Sequence, residues 1–289
     1  MVGSCVRACH PSECAEALAL LDEEFIFSRG RTLSFGVRFA AALGQPDARM
    51  LLMRTDGRID AALLVRPFGW ITPERDWRAA MVGLVWTRPE CRGRGQGSEL
   101  LREAESLMRA SGIEFAVLWT TRPGFYARCG WIAADCGALG HWTGGDAPAP
   151  SPAAAGELWP AIHTLRESLG GERVARDLNA YAALLPPATE HDANFEHGAY
   201  ALIGRAGATG YVYEIGGRAE GLPAIWSALR RRYRELYLNL RGSSAAQAWL
   251  STQPGIDWQE QKLAMWLRLS AQADAAQFGR WYLPFLDRI

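Results

Sequence analysis

Three glycines at alternate positions, Gly93, Gly95 and Gly97, have the spacing of an anion-binding loop. The segment that contains them runs from Val82 to Leu101 and reads VGLVWTRPECRGRGQGSELL. An apolar run predicts a strand up to Thr87, and the apolar spacing that follows predicts a helix over 96–110. Glycine lets the backbone bend so that successive N–H groups converge, and the first turn of a helix has free N–H groups and a partial positive charge. This order of strand, glycine loop and helix therefore predicts a site for a phosphate or pyrophosphate.

Two familiar phosphate-binding loops do not fit the segment. A P-loop requires Gly-Lys-Ser/Thr at the helix start, whereas the chain has Gln96, Gly97 and Ser98. A dinucleotide-binding loop requires an acidic residue after the next strand, but the strand FAVLWT is followed by Thr121 and Arg122. On these residues alone, a glycine-rich turn that binds nothing remains the alternative.

The segment resembles motif A of the GNAT acetyltransferase superfamily. The family signature, Q/R-x-x-G-x-G/A after a strand, is matched by Arg92, Gly95 and Gly97. The resemblance implies acetyl-CoA as cosubstrate, with backbone N–H groups around the pyrophosphate and the pantetheine arm along a strand that diverges from its neighbour. The cofactor-binding residues that it implies are Val85, Trp86, Thr87, Arg92, Gly93, Arg94, Gly95, Gln96, Gly97 and Ser98. Trp86 has two interpretations, a core side chain or one that faces the acetyl group.

A second stretch, FYARCGW, resembles motif B of the same family, in which a tyrosine precedes a glycine-aromatic pair. Here these residues are Tyr126, Gly130 and Trp131. The resemblance implies that Tyr126 is catalytic and lies near the sulfur that leaves as a thiolate. An ordinary tyrosine has a pKa of about 10 and a thiol of about 8.5, so full proton transfer is uphill by roughly 2 kcal/mol and a hydrogen bond is the alternative. The family often has an asparagine before this tyrosine, and the chain has none in WTTRPG.

Attack of an amine on a thioester requires an uncharged nitrogen, so a base or a water chain must remove a proton. The candidate bases are Asp22, Glu23 and Glu24 at the end of a predicted helix and Glu74 and Asp76 in a predicted turn. Each is also an ordinary surface acid, so no base is selected. An α-amine, with a pKa of about 8, is partly uncharged at neutral pH and therefore needs less help from a base than a lysine side chain, with a pKa of about 10.4.

Composition restricts the partners. Lys plus Arg and Asp plus Glu are equal at 31 each among 289 residues, so no overall field attracts nucleic acid or a membrane. The six cysteines lack a CxxC pair and the five histidines lack metal spacing, which favours reduced thiols and no metal. The amino-terminal residues show no signal-peptide pattern, and we expect a cytoplasmic protein. The expected partner is a small-molecule or peptide amine, and a homodimer remains open.

The length favours two domains of the α/β (α+β) class, each a mixed, mostly antiparallel sheet flanked by helices. The stretch DAPAPSPAAAGE, 146–157, predicts a linker, which gives an acetyltransferase domain at 1–147 and a degenerate GNAT-like domain at 157–289. The predicted element orders, βααβββαβα and ααββαβαβ, are similar enough to suggest an internal duplication.

The second half keeps only part of motif A. Arg218 and Gly221 are in place, but Pro223 replaces the last glycine and has no N–H to offer a phosphate. We expect this half to have lost cofactor binding and to serve structure or acceptor selection, as in tandem acetyltransferases. Two alternatives remain: a sensor that binds acetyl-CoA without turnover, and a tandem enzyme with two working sites.

Overall fold

The computed structural model describes residues 4–144, 159–176, 189–194 and 197–288. In chain order the strands are β1 (Ser4–Cys9), β2 (Arg49–Thr55), β3 (Arg58–Ile71), β4 (Asp76–Thr87), β5 (Phe115–Trp119), β6 (Ile132–Ala133), β7 (Gly137–Thr143), β8 (Arg173–Val174), β9 (Thr189–Asn194), β10 (Ala199–Ala206), β11 (Thr209–Gly217), β12 (Glu235–Arg241), β13 (Ile256–Glu260) and β14 (Ala264–Arg268). The helices are α1 (Ala15–Phe25), α2 (Phe35–Arg38), α3 (Ala40–Leu43), α4 (Gln96–Ala110), α5 (Pro123–Ala127), α6 (Trp159–Leu169), α7 (Leu222–Arg232), α8 (Ala245–Leu250) and α9 (Ala275–Phe278). Among these helices none is both long and apolar enough to cross a membrane.

The chain forms two compact units, and both are discontinuous in sequence. The first combines Met1–Ala134 with Leu263–Gly279, and the second combines Asp135–Lys262 with Arg280–Arg288. The first sheet has the order β1-β2-β3-β4-β5-β14-β6, and the second has the order β13-β7-β12-β11-β10-β9. Parallel pairing joins β4 to β5 and β11 to β12, and the other neighbours on these paths are antiparallel. Mixed, mostly antiparallel sheets with flanking helices are the predicted fold class.

Two strands lie in the sheet of the other half of the chain. Strand β7 precedes the predicted linker but pairs with β12, and β14 comes near the end of the chain but pairs with β5. Strand β14 falls within the predicted second domain, 157–289, but belongs to the first sheet. Met265, Trp266 and Leu267 are all buried, and such an unbroken apolar run predicts a strand covered on both faces without specifying its sheet. The units therefore change at 134/135, 262/263 and 279/280, which differs from the predicted division at 147 and 157.

Side chains of the first sheet alternate between two layers of helix. On β2, Leu51 and Met53 pack with α4, whereas Met50 and Leu52 pack with α1. The second unit has a similar layout: α7 follows β11, precedes the parallel strand β12 and covers the core on one face of the sheet. Each unit thus contains a strand, a helix and a parallel strand in the same order.

Several element predictions are confirmed and others are not. Helix α4 has the predicted bounds, and so does α8, for which apolar spacing predicts a helix over 245–250. The dipeptide Asp-Gly between two apolar runs predicts a hairpin, and the β2–β3 turn has Asp56 and Gly57 at φ 50° and 80°, as a tight hairpin requires.

A proline followed by apolar residues at helical spacing predicts a helix from Pro11 to Leu21, but the helix begins later, at Ala15, after a short 3-10 turn. A second helix is predicted over 34–43, and the structure divides it into α2 and α3. Strands β6, β7, β8, β9 and β13 were not predicted. Apolar spacing predicts a helix over 174–185, but most of that range and the predicted linker lie outside the described residues.

The prediction of reduced thiols is wrong for one pair of cysteines. Cys9, at the end of β1, and Cys14, which precedes α1, are joined by a disulfide. They are five positions apart in the sequence, and the intervening turn brings both side chains into the core between α1 and the sheet. Sequence spacing alone does not predict this contact, because it depends on the turn geometry. Cys5, Cys91, Cys129 and Cys136 are free.

Candidate cofactor and catalytic site

Strands β4 and β5 separate in the middle of the first sheet. Their parallel pairing runs from Ala79 opposite Phe115 to Met81 opposite Val117 and then ends. Beyond this point β4 continues beside β3, and β5 continues beside β14. The two strands therefore leave a gap towards their carboxyl ends, which confirms the divergence that the family resemblance implied.

A β-bulge lies on the edge of this gap. Trp86 is opposite Ala62 and Gly83 is opposite Leu64, so two residues of β4 face one residue of β3. Leu84, inside the bulge, has φ 52°, a left-handed conformation that is uncommon and strained for leucine. Bulges redirect a strand and take backbone groups out of the ladder. The carboxyl end of β4 thus exposes backbone groups to the gap, as an extended ligand arm would require.

The glycine loop leads directly into α4. Gly93 and Gly95 have φ 79° and 85°, and the amino terminus of α4 has no side-chain cap. Within the described residues, no hydrogen bond is donated by the backbone N–H groups of residues 93–98. A helix start of this kind carries unpaired donors and a partial positive charge. The loop thus has the unpaired backbone donors that the predicted anion site requires, and anion binding itself stays a prediction.

Gly97 marks the closest approach between the loop helix and α5. A Cβ built on Gly97 would lie 3.1 Å from Thr87 Oγ1 and 3.3 Å from Phe125 Cζ. The absence of a side chain lets α4 start against both the end of β4 and the first turn of α5. The two predicted motifs are therefore in contact through residues 97 and 125.

The side chain of Arg92 hydrogen-bonds to two elements that flank the loop. Its Nε donates to the carbonyl oxygen of Thr87 at 3.0 Å, and a terminal nitrogen donates to Glu24 Oε1 at 2.8 Å. The guanidinium therefore connects the end of β4 with the last turn of α1. An ion pair this exposed contributes little to stability on its own, so its effect is to orient the loop.

Tyr126 lies in α5 beside the gap. Its ring contacts Phe125 edge to face at 4.9 Å and Trp131 at 6.3 Å between centroids. Its hydroxyl lies near Thr120, the residue that directly follows β5. Burial raises the pKa of Tyr126 to about 12, and the nearby charge of Arg122 only partly offsets this. The phenol is therefore a stable hydrogen-bond donor at neutral pH.

Trp86 belongs to the core on the α1 side of the sheet. It is 5% exposed and packs in one cluster with Leu21 and Phe35, and the guanidinium of Arg88 lies 5.5 Å from its ring. Its indole N–H has no hydrogen-bond partner among the described residues. Of the two interpretations of Trp86, core packing is the one that the structure exhibits.

The candidate bases differ in position. Asp22 is buried and accepts a hydrogen bond from the Phe35 N–H at 2.7 Å, and Glu24 is paired with Arg92, while Glu23 is exposed. Asp76 starts β4 and lies nine residues before Val85, or roughly 30 Å along an extended strand. Asp76 and the preceding Glu74 are therefore too far from the carboxyl end of β4 to act there. In the described ranges no group of His, Cys, Asp or Glu side chains could hold a metal ion.

A buried carboxylate beneath the loop was not predicted. Asp60 is 2% exposed, accepts from Arg58 Nε at 2.9 Å and lies 3.9 Å from Arg88 Nε. Its other oxygen lies 3.5 Å from Gln96 Nε2. Burial acts to raise the pKa of Asp60, but hydrogen bonds from Thr55 and Arg58 and the charge of Arg58 hold it below its usual value. The available signal was an acidic residue inside the apolar run IDAALLV.

Comparisons with known proteins agree with this geometry. Residues 5–134 match the model of an acetyltransferase (GNAT) domain. No curated protein matches the chain. Among solved structures, a probable N-acyltransferase from Enterococcus faecalis covers 93% of this chain and 74% of its own, with a TM-score of 0.73 and 15% identity. Eis1 from Mycobacterium abscessus covers 97% and 76%, with a TM-score of 0.63 and 16% identity.

A tandem GNAT protein from the clavulanic acid biosynthesis pathway is also similar, covering 94% of this chain and all of its own at a TM-score of 0.56 and 14% identity. At these identities the solved structures bear on the fold, and the family model bears on the first unit. The first unit carries the diverging strands, the glycine loop and the tyrosine helix, and the second repeats the sheet-and-helix plan. Residues 5–134 therefore match an acetyltransferase (GNAT) domain, and the chain shares the fold of the solved N-acyltransferase and tandem GNAT structures.

Proposed function

We propose that the chain transfers an acetyl group from acetyl-CoA to a primary amine of a small molecule or peptide, in the cytoplasm. The observation that carries this proposal is the convergence of three features at the carboxyl ends of β4 and β5. These features are the gap between the strands, the unpaired N–H groups at the start of α4 and the hydroxyl of Tyr126.

The residues of the first unit fit coenzyme A by chemistry. Six successive backbone N–H groups, from Gly93 to Ser98, offer donors to a pyrophosphate, and the start of α4 adds a favourable dipole. Amide groups of a pantetheine arm suit the backbone of Val85, Trp86 and Thr87, where β4 no longer pairs with β5. When bound, acetyl-CoA supplies an activated acyl group as a thioester.

Tyr126 is suited to donate a hydrogen bond rather than to lose its proton. With a pKa of about 12 against about 8.5 for a thiol, full transfer to a thiolate is uphill by roughly 5 kcal/mol. A fixed hydroxyl still stabilises negative charge as it develops on a leaving sulfur. Thr120 and the packed ring of Phe125 hold the hydroxyl at the carboxyl end of β5.

The pH dependence of turnover follows from the protonated state of Tyr126. Because the pKa of Tyr126 is raised in the folded protein, its hydroxyl stays protonated below about pH 10. It loses the proton only as the pH rises through about 12. We therefore expect kcat to show no decline caused by Tyr126 below pH 10. A profile measured from pH 6 to 10.5 at saturating substrates checks this, with Tyr126→Phe as the control. A descending limb with an apparent pKa near 8 that is absent from the variant would contradict it.

The acceptor is expected to carry an apolar or aromatic part. Between α1 and α3 the chain exposes Phe27, Leu33 and Val37, which is unusual for such large side chains. The ends of the intervening segment, Ile26 and Phe35, pack in the same cluster as Trp86, on the face opposite α4. The apolar surface thus lies on the α1 side of the sheet, opposite the side that α4 covers.

We propose a single cofactor site per chain. The second unit also has a gap, since the parallel pairing of β11 and β12 ends at Val212 opposite Leu238. Residues 282–287 contact both strands beyond that point: Tyr282 donates to the Asn239 carbonyl at 2.7 Å, and Phe285 stacks on Tyr213 at 5.7 Å. The chain itself thus occupies the place that a pantetheine arm would need.

The first turn of α7 also lacks a donor. Pro223 is the second residue of α7 and has no N–H, whereas each residue of the first turn of α4 has one. The adjoining Gly221 packs so closely on Ala199 that a Cβ there would lie 2.5 Å from the Ala199 Cβ. Both observations support the proposal that the second unit serves structure or acceptor selection.

An acceptor screen separates an enzyme from a sensor that only binds acetyl-CoA. Release of the CoA thiol is measured with amino acids, peptide amino termini, polyamines, aminoglycosides and arylamines. We expect amine-dependent release, strongest with arylamines or other amines that carry an apolar group. Binding of acetyl-CoA without release for any amine in the panel would favour the sensor.

A further inference from the structure

We propose that Asp60 is a positioning residue that fixes the start of the pyrophosphate loop and thereby sets the affinity for the CoA cosubstrate. The inference rests on the proposed function, because it assigns a role within that cofactor site. Asp60 does not touch the gap between β4 and β5. It acts through Arg88 and Gln96, on either side of the glycine loop.

Asp60 is held in place from β3. Its side chain is 2% exposed, and Arg58, two residues earlier on the same strand, donates to Oδ1 at 2.9 Å. Thr55 and Cys91 lie close enough to the carboxylate to help hold its pKa below the usual value. A buried charge with several donors is fixed in position, since removing any partner leaves an unsatisfied group.

Asp60 also contacts Arg88, the residue at which the loop begins. The backbone carbonyl oxygen of Asp60 accepts from the Arg88 N–H at 2.8 Å, and the Arg88 side chain donates to the neighbouring Ile59 carbonyl at 3.0 Å. The Arg88 guanidinium lies 3.9 Å from the Asp60 carboxylate. Arg88 directly follows β4 and precedes the 3-10 turn Pro89–Cys91, so its position sets where the loop begins.

The Asp60 carboxylate also contacts Gln96, the residue at which the loop ends and α4 begins. Gln96 is the first residue of α4, and its Nε2 lies 3.5 Å from Asp60 Oδ2. The amide nitrogen is the group expected to face a carboxylate, because the amide oxygen would be repelled. The Gln96 Oε1 is buried and has no partner among the described residues, so the Asp60 contact is the polar contact that orients this side chain. The backbone N–H of Gln96 is itself among the proposed pyrophosphate donors.

The two contacts explain how a side chain outside the site can govern binding. The loop between Arg88 and Gln96 contains Gly93 and Gly95, which have wide conformational freedom. Ordering such a loop on binding costs free energy, and anchoring both ends before the ligand arrives reduces that cost. Loss of the Asp60 charge should therefore weaken binding without altering the step in which the acyl group is transferred.

The test compares Asp60→Asn with the parent by calorimetric titration of acetyl-CoA and by steady-state kinetics. We expect the dissociation constant to rise about tenfold, which corresponds to the loss of one charge-assisted hydrogen bond. We expect kcat at saturating acetyl-CoA to stay within about twofold, because Tyr126 and the gap are untouched. A fall in kcat with unchanged affinity would overturn the inference.

A matched control separates positioning from general destabilisation. Asp287→Asn removes a carboxylate that is 1% exposed and paired with Arg176 in the second unit, so it also breaks a buried ion pair. We expect it to lower the melting temperature as Asp60→Asn does but to leave the dissociation constant within about twofold. Equal weakening by both variants would show that the effect is a consequence of lost stability.

The Gln96→Met variant removes the Asp60–Gln96 contact from the other side and keeps the buried carboxylate. We expect a rise of several-fold in the dissociation constant, and we expect the double variant with Asp60→Asn to bind no more weakly than Asp60→Asn alone. Additive losses would show that Gln96 acts independently of Asp60. A parent protein that does not bind acetyl-CoA would overturn the proposed function itself, whereas a parent and an Asp60→Asn variant that bind equally well would overturn only the role of Asp60.

Discussion

Replacing Ser98 with aspartate is expected to weaken acetyl-CoA binding about a hundredfold while leaving the protein as stable as the parent or slightly more so. Ser98 is the third residue of α4 and is partly exposed. A carboxylate there is attracted by the helix dipole but repels a pyrophosphate bound to the same N–H groups. Two charges about 5 Å apart at an effective dielectric constant near 20 interact by roughly 3 kcal/mol, which corresponds to this loss.

Ser98→Asn is the matched control, because it has the shape of aspartate without the charge. Titration with acetyl-CoA should give a dissociation constant within about threefold of the parent for the asparagine variant, and thermal melts should rank the aspartate variant at least as stable. Increasing salt should recover part of the lost affinity, since the repulsion is electrostatic. Equal binding by the aspartate and asparagine variants would show that no anion lies at the start of α4.

Replacing Tyr126 with phenylalanine is expected to lower kcat by about thirty- to a hundredfold and to leave the affinity for acetyl-CoA within about twofold. The change deletes one hydroxyl beside the gap and keeps the ring that packs on Phe125 and Trp131. The loss corresponds to one hydrogen bond that is stronger to a developing thiolate than to the bound thioester.

Tyr282→Phe provides the control for Tyr126→Phe. Tyr282 is half-buried in the second unit and donates to Asn239, so deleting its hydroxyl removes a comparable polar contact outside the proposed site. We expect kcat of this variant to remain within about twofold of the parent. Steady-state rates with the best amine from the screen measure both variants. A Tyr126→Phe enzyme as fast as the parent would remove Tyr126 from the mechanism.

The parts of the site that were predicted are those that local sequence determines. Glycines at 93 and 95, a strand before them and an amphipathic helix after them require no distant contact, and α4 has the predicted bounds. The hairpin turn at Asp56 and Gly57 is a local signal of the same kind. Tyr126 was identified through a contiguous motif, and its contact with Thr120 follows from the short connection between β5 and α5.

The parts that were missed depend on long-range pairing. Strand β14 joins β5 across more than a hundred residues, and its apolar run is compatible with either sheet. Asp60 is distinctive only because folding brings β3 beneath the loop, 36 residues further along the chain at Gln96. The bulge at Leu84 depends on the register between β3 and β4, which the alternation of apolar residues specifies only for regular strands. The pairing of the Arg92 side chain with Glu24 was likewise not predicted, and the contact of Arg92 with the cofactor stays a prediction.

Calorimetric titration of the full chain with acetyl-CoA decides between one site, two sites and none. We expect one molecule bound per chain, with binding lost at the same concentrations in the Ser98→Asp variant and kept in Ser98→Asn. The first result follows from the open gap beside α4 and from the contacts of residues 282–287 with both diverging strands of the second unit. Two molecules per chain, no binding at millimolar acetyl-CoA, or full binding by the Ser98→Asp variant would each contradict the assignment of the cofactor site to the first unit.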